Sequence, residues 1–87
     1  MPFGSPEVQV FVFCTAGNGL VLGQFVNPTF DNRPYVIDVG GLRRSQTAFA
    51  RAAAVRGVSG RADGVYEVDV LASGQLVYST TVTVACD

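Results

Sequence analysis

The chain has no histidine, no lysine and no tryptophan, only two cysteines, and charged side chains at just 15% of its 87 residues. Each shortage excludes something. Without histidine there is no imidazole base for a hydrolytic triad and no imidazole ligand for a metal. Without lysine there is no Schiff-base, isopeptide or P-loop lysine chemistry. Two cysteines fall short of a four-ligand structural metal site. The six arginines cluster no further than the pair Arg43-Arg44 and the net charge is −1, which argues against nucleic acid as a partner. No run of 18 apolar residues occurs, so no segment reads as a membrane-spanning helix. The opening MPFGSPEV has neither a positive stretch nor an apolar core with a cleavage site, and does not read as a signal peptide.

What is present is apolar and strand-like. Apolar residues make up 48% of the sequence. With so few charges, much of the outer surface must be Thr, Ser, Gly, Ala or frankly apolar, and such a surface is either tolerated or covered by a neighbour. The length predicts one domain, residues 7–87, preceded by a short arm, residues 1–6, in which Pro2 and Pro6 disfavour helix. A core of this size is modest, and a covalent staple would add noticeably to its stability.

Alternation with a period of two dominates. Glu7 to Phe13 reads as a strand with apolar groups on both faces: Val8, Val10 and Val12 on one, Phe11 and Phe13 on the other. Asn18-Gly19 is a short-turn signal, and Gly19 to Val26 reads as a second strand with Gly23 marking a bulge. NPTFDNRP is a loop by composition. Tyr35, Ile37 and Val39 then share a strand face opposite Asp38. Late in the chain Tyr66, Val68 and Val70 alternate with Glu67 and Asp69, the pattern of a strand with one face in a core and one in water. Ala72 to Gln75 suits a hairpin loop, and Leu76 to Cys86 runs back as a Thr/Val strand.

One segment is ambiguous. SQTAFARAAAVRG, Ser45 to Gly57, is helical by propensity, with Ser45 as a cap. We favour the strand reading, with Ala52 to Val58 as a short edge strand, because a lone helix has no obvious place among strands and turns. One short helix near residues 45–55 is the alternative. The fold class expected is all-β, an antiparallel sandwich of about seven short strands.

Three stretches together resemble the immunoglobulin-like β-sandwich modules of bacterial surface and phage proteins. They are FCTAGNGLVLGQFVN, YVIDVGG, and VSGRADGVYEVDV followed by VYSTTVTVACD. The likeness spans most of residues 7–87 through spacing and residue class rather than identity. It departs from the family in lacking the tryptophan that packs on the disulfide of antibody-type domains, and in the alanine-rich middle. The resemblance implies that Tyr66 folds over the preceding corner with its hydroxyl on the backbone, as a core determinant beside Val68, Val70, Tyr35 and Ile37. It also implies that the first and last strands lie side by side and parallel, bringing Cys14 and Cys86 together as a disulfide. Such a bridge closes a loop of about 73 residues, contributing about 4 kcal/mol by chain entropy. Two buried free thiols are the alternative.

A disulfide in a chain without an export signal fits two histories: a module cut from an exported precursor, or a cytoplasmic product assembled into a virus particle and oxidised later. Function follows the same division. Glu67 and Asp69, about 7 Å apart on one strand face, look like any solvated face rather than a carboxylate pair for catalysis. No cofactor is implied, and an enzyme is not expected. The leading expectation is a virion accessory protein, a head-decoration or tail-surface module at the virion surface. Behind it stand an extracellular or cell-wall spacer or adhesion module, and then a loop-based inhibitor or small-ligand binder. The partner would be another protein, in an assembly that is oligomeric in some form. Its expected contacts are Phe3 of the arm together with Phe30, Arg33 and Tyr35 of NPTFDNRPY.

Overall fold

The computed structural model describes residues 8–86; the arm and Phe3 lie outside the described residues. Seven strands follow one another: β1 (Val8–Thr15), β2 (Asn18–Val26), β3 (Arg33–Val39), β4 (Leu42–Ala48), β5 (Ala53–Arg61), β6 (Gly64–Ala72) and β7 (Gln75–Val84). They form a three-stranded sheet in the order β1-β2-β5 and a four-stranded sheet in the order β4-β3-β6-β7, with every neighbour antiparallel. The chain is all-β, as its period-two alternation predicts.

Three hairpins are closed by two-residue loops: Ala16-Gly17, Gly40-Gly41 and Ser73-Gly74. In each loop both residues have positive φ, from +52° at Ala16 to +95° at Gly41. Loops of that kind carry the twist of the flanking strands, and glycine adopts the conformation without strain. The first of them corrects the turn expected at Asn18-Gly19. Those residues begin β2, with Asn18 opposite Thr15 and Gly19 opposite Cys14. Gly19 is needed inside the sandwich, because a Cβ there would stand 2.4 Å from Val84 Cγ1.

Between the sheets lies the core. Val8, Val21 and Phe25 from β1 and β2, Ala54 and Val58 from β5, Tyr35, Ile37 and Val39 from β3, Val68, Val70 and Ala72 from β6, and Val84 from β7 are all buried. The alternation that puts Val68 and Val70 inside leaves Glu67 exposed, while Asp69 is half-buried and accepts a 2.7 Å hydrogen bond from Ser79 Oγ. Tyr66 is half-buried rather than fully buried. It packs at the rim of the core, donates to the Ala62 carbonyl at 2.5 Å, and lies under the Arg61 guanidinium, 4.7 Å from the ring centroid.

No helix forms near residues 45–55. The propensity of the alanine-rich segment is overridden by strand pairing: Gly40-Gly41 folds β4 back onto β3, and Ala48 and Ala54 are small residues buried where the two sheets meet. Arg51, at φ +59°, breaks the segment between them. The strand expected over Ala52 to Val58 runs instead over Ala53–Arg61, at an edge of its sheet. Gly23 is not a bulge either, since its pairing with Val10 continues the register on both sides. The irregularity in β2 falls between Gly19 and Val21, against β5.

Cys14 and Cys86 are bonded, with Cα atoms 5.5 Å apart. Their strands are not hydrogen-bonded neighbours, which corrects the expected side-by-side pairing: β1 is an edge of one sheet and β7 an edge of the other. The bridge therefore ties the two sheets together at one corner. Asp63 braces the same corner by accepting the Cys86 backbone N–H at 2.8 Å.

Candidate protein-docking face

Each sheet has an inner face in the core and an outer face, and the two outer faces differ in chemistry. On the four-stranded sheet the outer positions carry Asp38, Arg43, Glu67 and Asp69 among Ser45, Thr47, Ser79, Thr81 and Thr83, with Val36, Val65, Leu71 and Leu76 interspersed. Asp38 and Asp69 stand directly opposite each other, an unfavourable juxtaposition of like charges. It is relieved locally: Arg43 Nε reaches Asp38 at 2.9 Å, the Gly41 N–H donates to Asp38 at 2.8 Å, and Ser79 donates to Asp69. Charge and hydroxyl groups are spread through this face, so its apolar residues are interspersed among polar ones.

The three-stranded sheet is the opposite case. Its outer positions on β1 are Gln9, Phe11 and Phe13, paired with Gln24, Leu22 and Leu20 on β2; across β2 lie Ala53, Val55 and Gly57 of β5. None of these residues is charged. Phe11 and Phe13 stack with ring centroids 6.3 Å apart. Gly57 leaves a shallow floor over which the two leucines lie: a Cβ there would meet Leu22 Cδ2 at 2.4 Å and Leu20 Cδ1 at 3.2 Å. Phe11 is 40% exposed, Phe13 50% and Val55 49%. With an aromatic side chain presenting about 200 Å² when free, the two phenylalanines alone leave roughly 180 Å² of ring in water. Covering it would contribute about 4–5 kcal/mol.

The residues expected to grip a partner are placed differently. Tyr35 is wholly buried, so it is not a surface contact. Its hydroxyl donates to the Gly23 carbonyl at 2.6 Å, its ring packs 5.6 Å from that of Phe25, and burial pushes its phenol up to about 12. Arg33 is half-buried, its Nε donating to Ser73 Oγ at 3.0 Å and its guanidinium 5.8 Å from the Phe25 ring centroid. Phe30 is 84% exposed, but at the loop end of the sandwich rather than on either face.

That loop is latched down. Asn27 is fully buried and satisfies its amide completely: Nδ2 donates to the Asp31 and Ala48 carbonyls at 2.8 and 3.0 Å, and Oδ1 accepts from the Thr29 N–H and hydroxyl. Arg51 donates to the Pro28 carbonyl at 2.8 Å and lies over the Phe30 ring, 5.2 Å from its centroid. Among the described residues no group of three or more acidic or cysteine side chains is placed to hold a metal ion.

The sequence carried a sign of this apolar face. Phe11 and Phe13 alternate with Val10 and Val12, and GLVLGQFV is apolar at nearly every position, so both early strands are apolar on both faces. Only one face can meet the core of a two-layer sandwich.

No family model, no curated protein and no solved structure matches the chain.

Proposed function

We propose that the protein is a non-catalytic interaction module that docks on another protein through the outer face of the β1-β2-β5 sheet. The observation that carries this reading is the contrast between the two outer faces. One holds two aspartates, a glutamate and an arginine among hydroxyls and interspersed aliphatic residues; the other holds two stacked phenylalanines, two leucines and a valine with no charge at all. A monomer kept in solution by its surface has no use for the second kind of face, whereas a protein interface is enriched in phenylalanine and depleted of charge at its centre.

The strand order supports kinship with immunoglobulin-like modules: two antiparallel sheets, connections that cross between them, and a tyrosine hydroxyl on a backbone carbonyl before the penultimate strand. Within that kinship we place the chain first among virion accessory proteins, a head-decoration or tail-surface subunit whose apolar face sits on neighbouring virion proteins. The second reading is a spacer or adhesion module of a secreted or wall-attached protein. The disulfide favours an oxidising location in either case.

The test is a pair of surface variants joined to recovery of the natural assembly. Phe13→Lys with Val55→Lys charges the apolar face at two exposed positions; Val65→Lys does the same to the opposite face, where Val65 is 68% exposed. The first variant stays folded but fails to join the assembly, and the second joins normally. Normal incorporation of the doubly charged variant overturns the reading.

A further inference from the structure

The two sheets have four edges, and they are not guarded alike. β4 carries Arg43 and Arg44. β5 carries Arg56 and Arg61, and its pairing with β2 is broken by a register shift. Charges and irregularities of this sort keep one edge strand from pairing with another. β1 has neither. Val8–Thr15 contains no charge and no proline, and its register against β2 runs unbroken from Val8 opposite Phe25 to Thr15 opposite Asn18. Among the described residues β1 has no hydrogen-bonded neighbour on its other side, so within them a row of backbone N–H and C=O groups is left without a strand partner.

What adjoins that free side is β7, the other uncharged edge. The disulfide holds the two together at Cys14 and Cys86. Towards the start of β1 they part around a groove of about 420 Å³, lined by Gln9 to Phe11 on one wall and by Tyr78 and Thr80 to Val82 on the other. The open stretch of the β1 edge is therefore centred near Val10, at the end away from the bridge.

We propose that this edge is an interface between two copies of the chain: β1 of one copy pairs antiparallel with β1 of the second across a two-fold axis near Val10, joining two three-stranded sheets into one of six strands. Antiparallel pairing of a strand with itself is self-complementary, as a two-fold contact requires. From Val8 to Val12 a neutral edge meets a neutral edge, so no charge is desolvated within that stretch. In this register Val8 lies opposite Val12 of the second copy and Gln9 opposite Phe11, while the two Phe11 side chains sit diagonally, within the reach of aromatic groups. Cys14 stays clear of the join. The apolar outer faces of both copies become one continuous surface, which enlarges the docking face without using it. The contact is short, below the roughly 1,200 Å² of a standard stable interface, so association is weak, in the range of tens to hundreds of micromolar.

Sedimentation equilibrium of the purified protein up to about 1 mM tests this, with three variants. Val12→Lys points a charge inward at the β1 edge, since Val12 shares its face with its buried partner Val21. Gln9→Arg brings two like charges to diagonal positions across the axis from an exposed site, and serves if Val12→Lys fails to fold. Val55→Lys charges the outer face on β5, away from the edge. A monomer–dimer equilibrium is expected, weakened at least tenfold by either edge variant and changed less than about twofold by Val55→Lys. A protein that stays monomeric at the highest concentration overturns the proposal, as do edge variants that associate like the parent. Equal loss in Val55→Lys would transfer association to the docking face. Mass that grows without limit would mean open-ended pairing of β1 with β7, which is not the closed dimer.

Discussion

Replacing Gly23 with alanine adds one methyl group where β2 passes over Tyr35 and Ile37 of the facing sheet. A Cβ there would lie 2.6 Å from Ile37 Cδ1 and 2.6 Å from the Tyr35 hydroxyl, and both side chains are fully buried. Neither has open space to retreat into, so overpacking costs about 1–3 kcal/mol. If Tyr35 is the one to move, its 2.6 Å bond to the Gly23 carbonyl is lost and a buried hydroxyl is left unpaired, a further cost of about 1–3 kcal/mol. Against this, alanine in a strand gains about 0.5–1 kcal/mol over glycine from the unfolded chain. The net expectation is a loss of about 2–4 kcal/mol, which for a domain of this size lowers Tm by roughly 10–25 °C. Urea unfolding followed by tyrosine fluorescence and far-UV dichroism measures it. A double-mutant cycle assigns the cause: in a Tyr35→Phe background the oxygen is gone, and Gly23→Ala should cost at least about 1 kcal/mol less than in the parent. If Gly23→Ala is neutral, or costs the same in both backgrounds, the hydroxyl is not what holds position 23 to glycine and the packing argument fails.

Three other outcomes follow from the same geometry. Reducing Cys14–Cys86, or changing both to serine, should lower stability by about 4 kcal/mol in the chain-entropy model, since the bridge spans 72 positions; a loss under about 1 kcal/mol would mean that the unfolded chain is not constrained by it. The Tyr35 phenol is raised from 10.0 to about 12 by burial, so the folded state disfavours the phenolate. The associated stability is whole below pH 10 and is lost as pH rises from 10 to 12, by about 2–3 kcal/mol, and Tyr35→Phe should flatten this alkaline decline. Val68→Ala should cost about 1–3 kcal/mol as a cavity between the sheets, while Glu67→Gln stays within about 0.5 kcal/mol; equal effects on the two would mean that β6 is turned by one residue.

How much of this the sequence disclosed depended on whether the signal was local. The late strands were legible because Tyr66, Val68 and Val70 alternate with two acids, and a strand face turned to water writes itself as charge. Ser73-Gly74 was legible because glycine and a small polar residue sit between two alternating runs. Asn18-Gly19 misled because it has the same turn chemistry; its register is decided instead by Gly19 having to pass beneath Val84, a contact between residues 65 positions apart. The alanine-rich stretch carried a helix signal of the same local kind, and the strand reading prevailed over it only because a lone helix has no place among strands. Alanine favours helix on its own, but Ala48 and Ala54 are small because two sheets close over them. Tyr35 is placed on a core face by alternation alone, and its proximity to the exposed Phe30 and half-buried Arg33 in sequence made it look like part of a gripping loop. The apolar face proposed for docking was written in β1 and β2 as apolar residues on both sides. It reads as a site only once it is known which side the core takes.

The central claim, that the outer face of β1-β2-β5 is covered by another protein, is tested most directly by carbene footprinting of the protein alone and in its natural assembly. The account predicts that Phe11, Phe13 and Val55 are labelled in the isolated protein and protected at least several-fold in the assembly, while Val65 and Thr81 on the opposite face label equally in both. Equal labelling of Phe11, Phe13 and Val55 in the two states, or protection of Val65 and Thr81 instead, would contradict it.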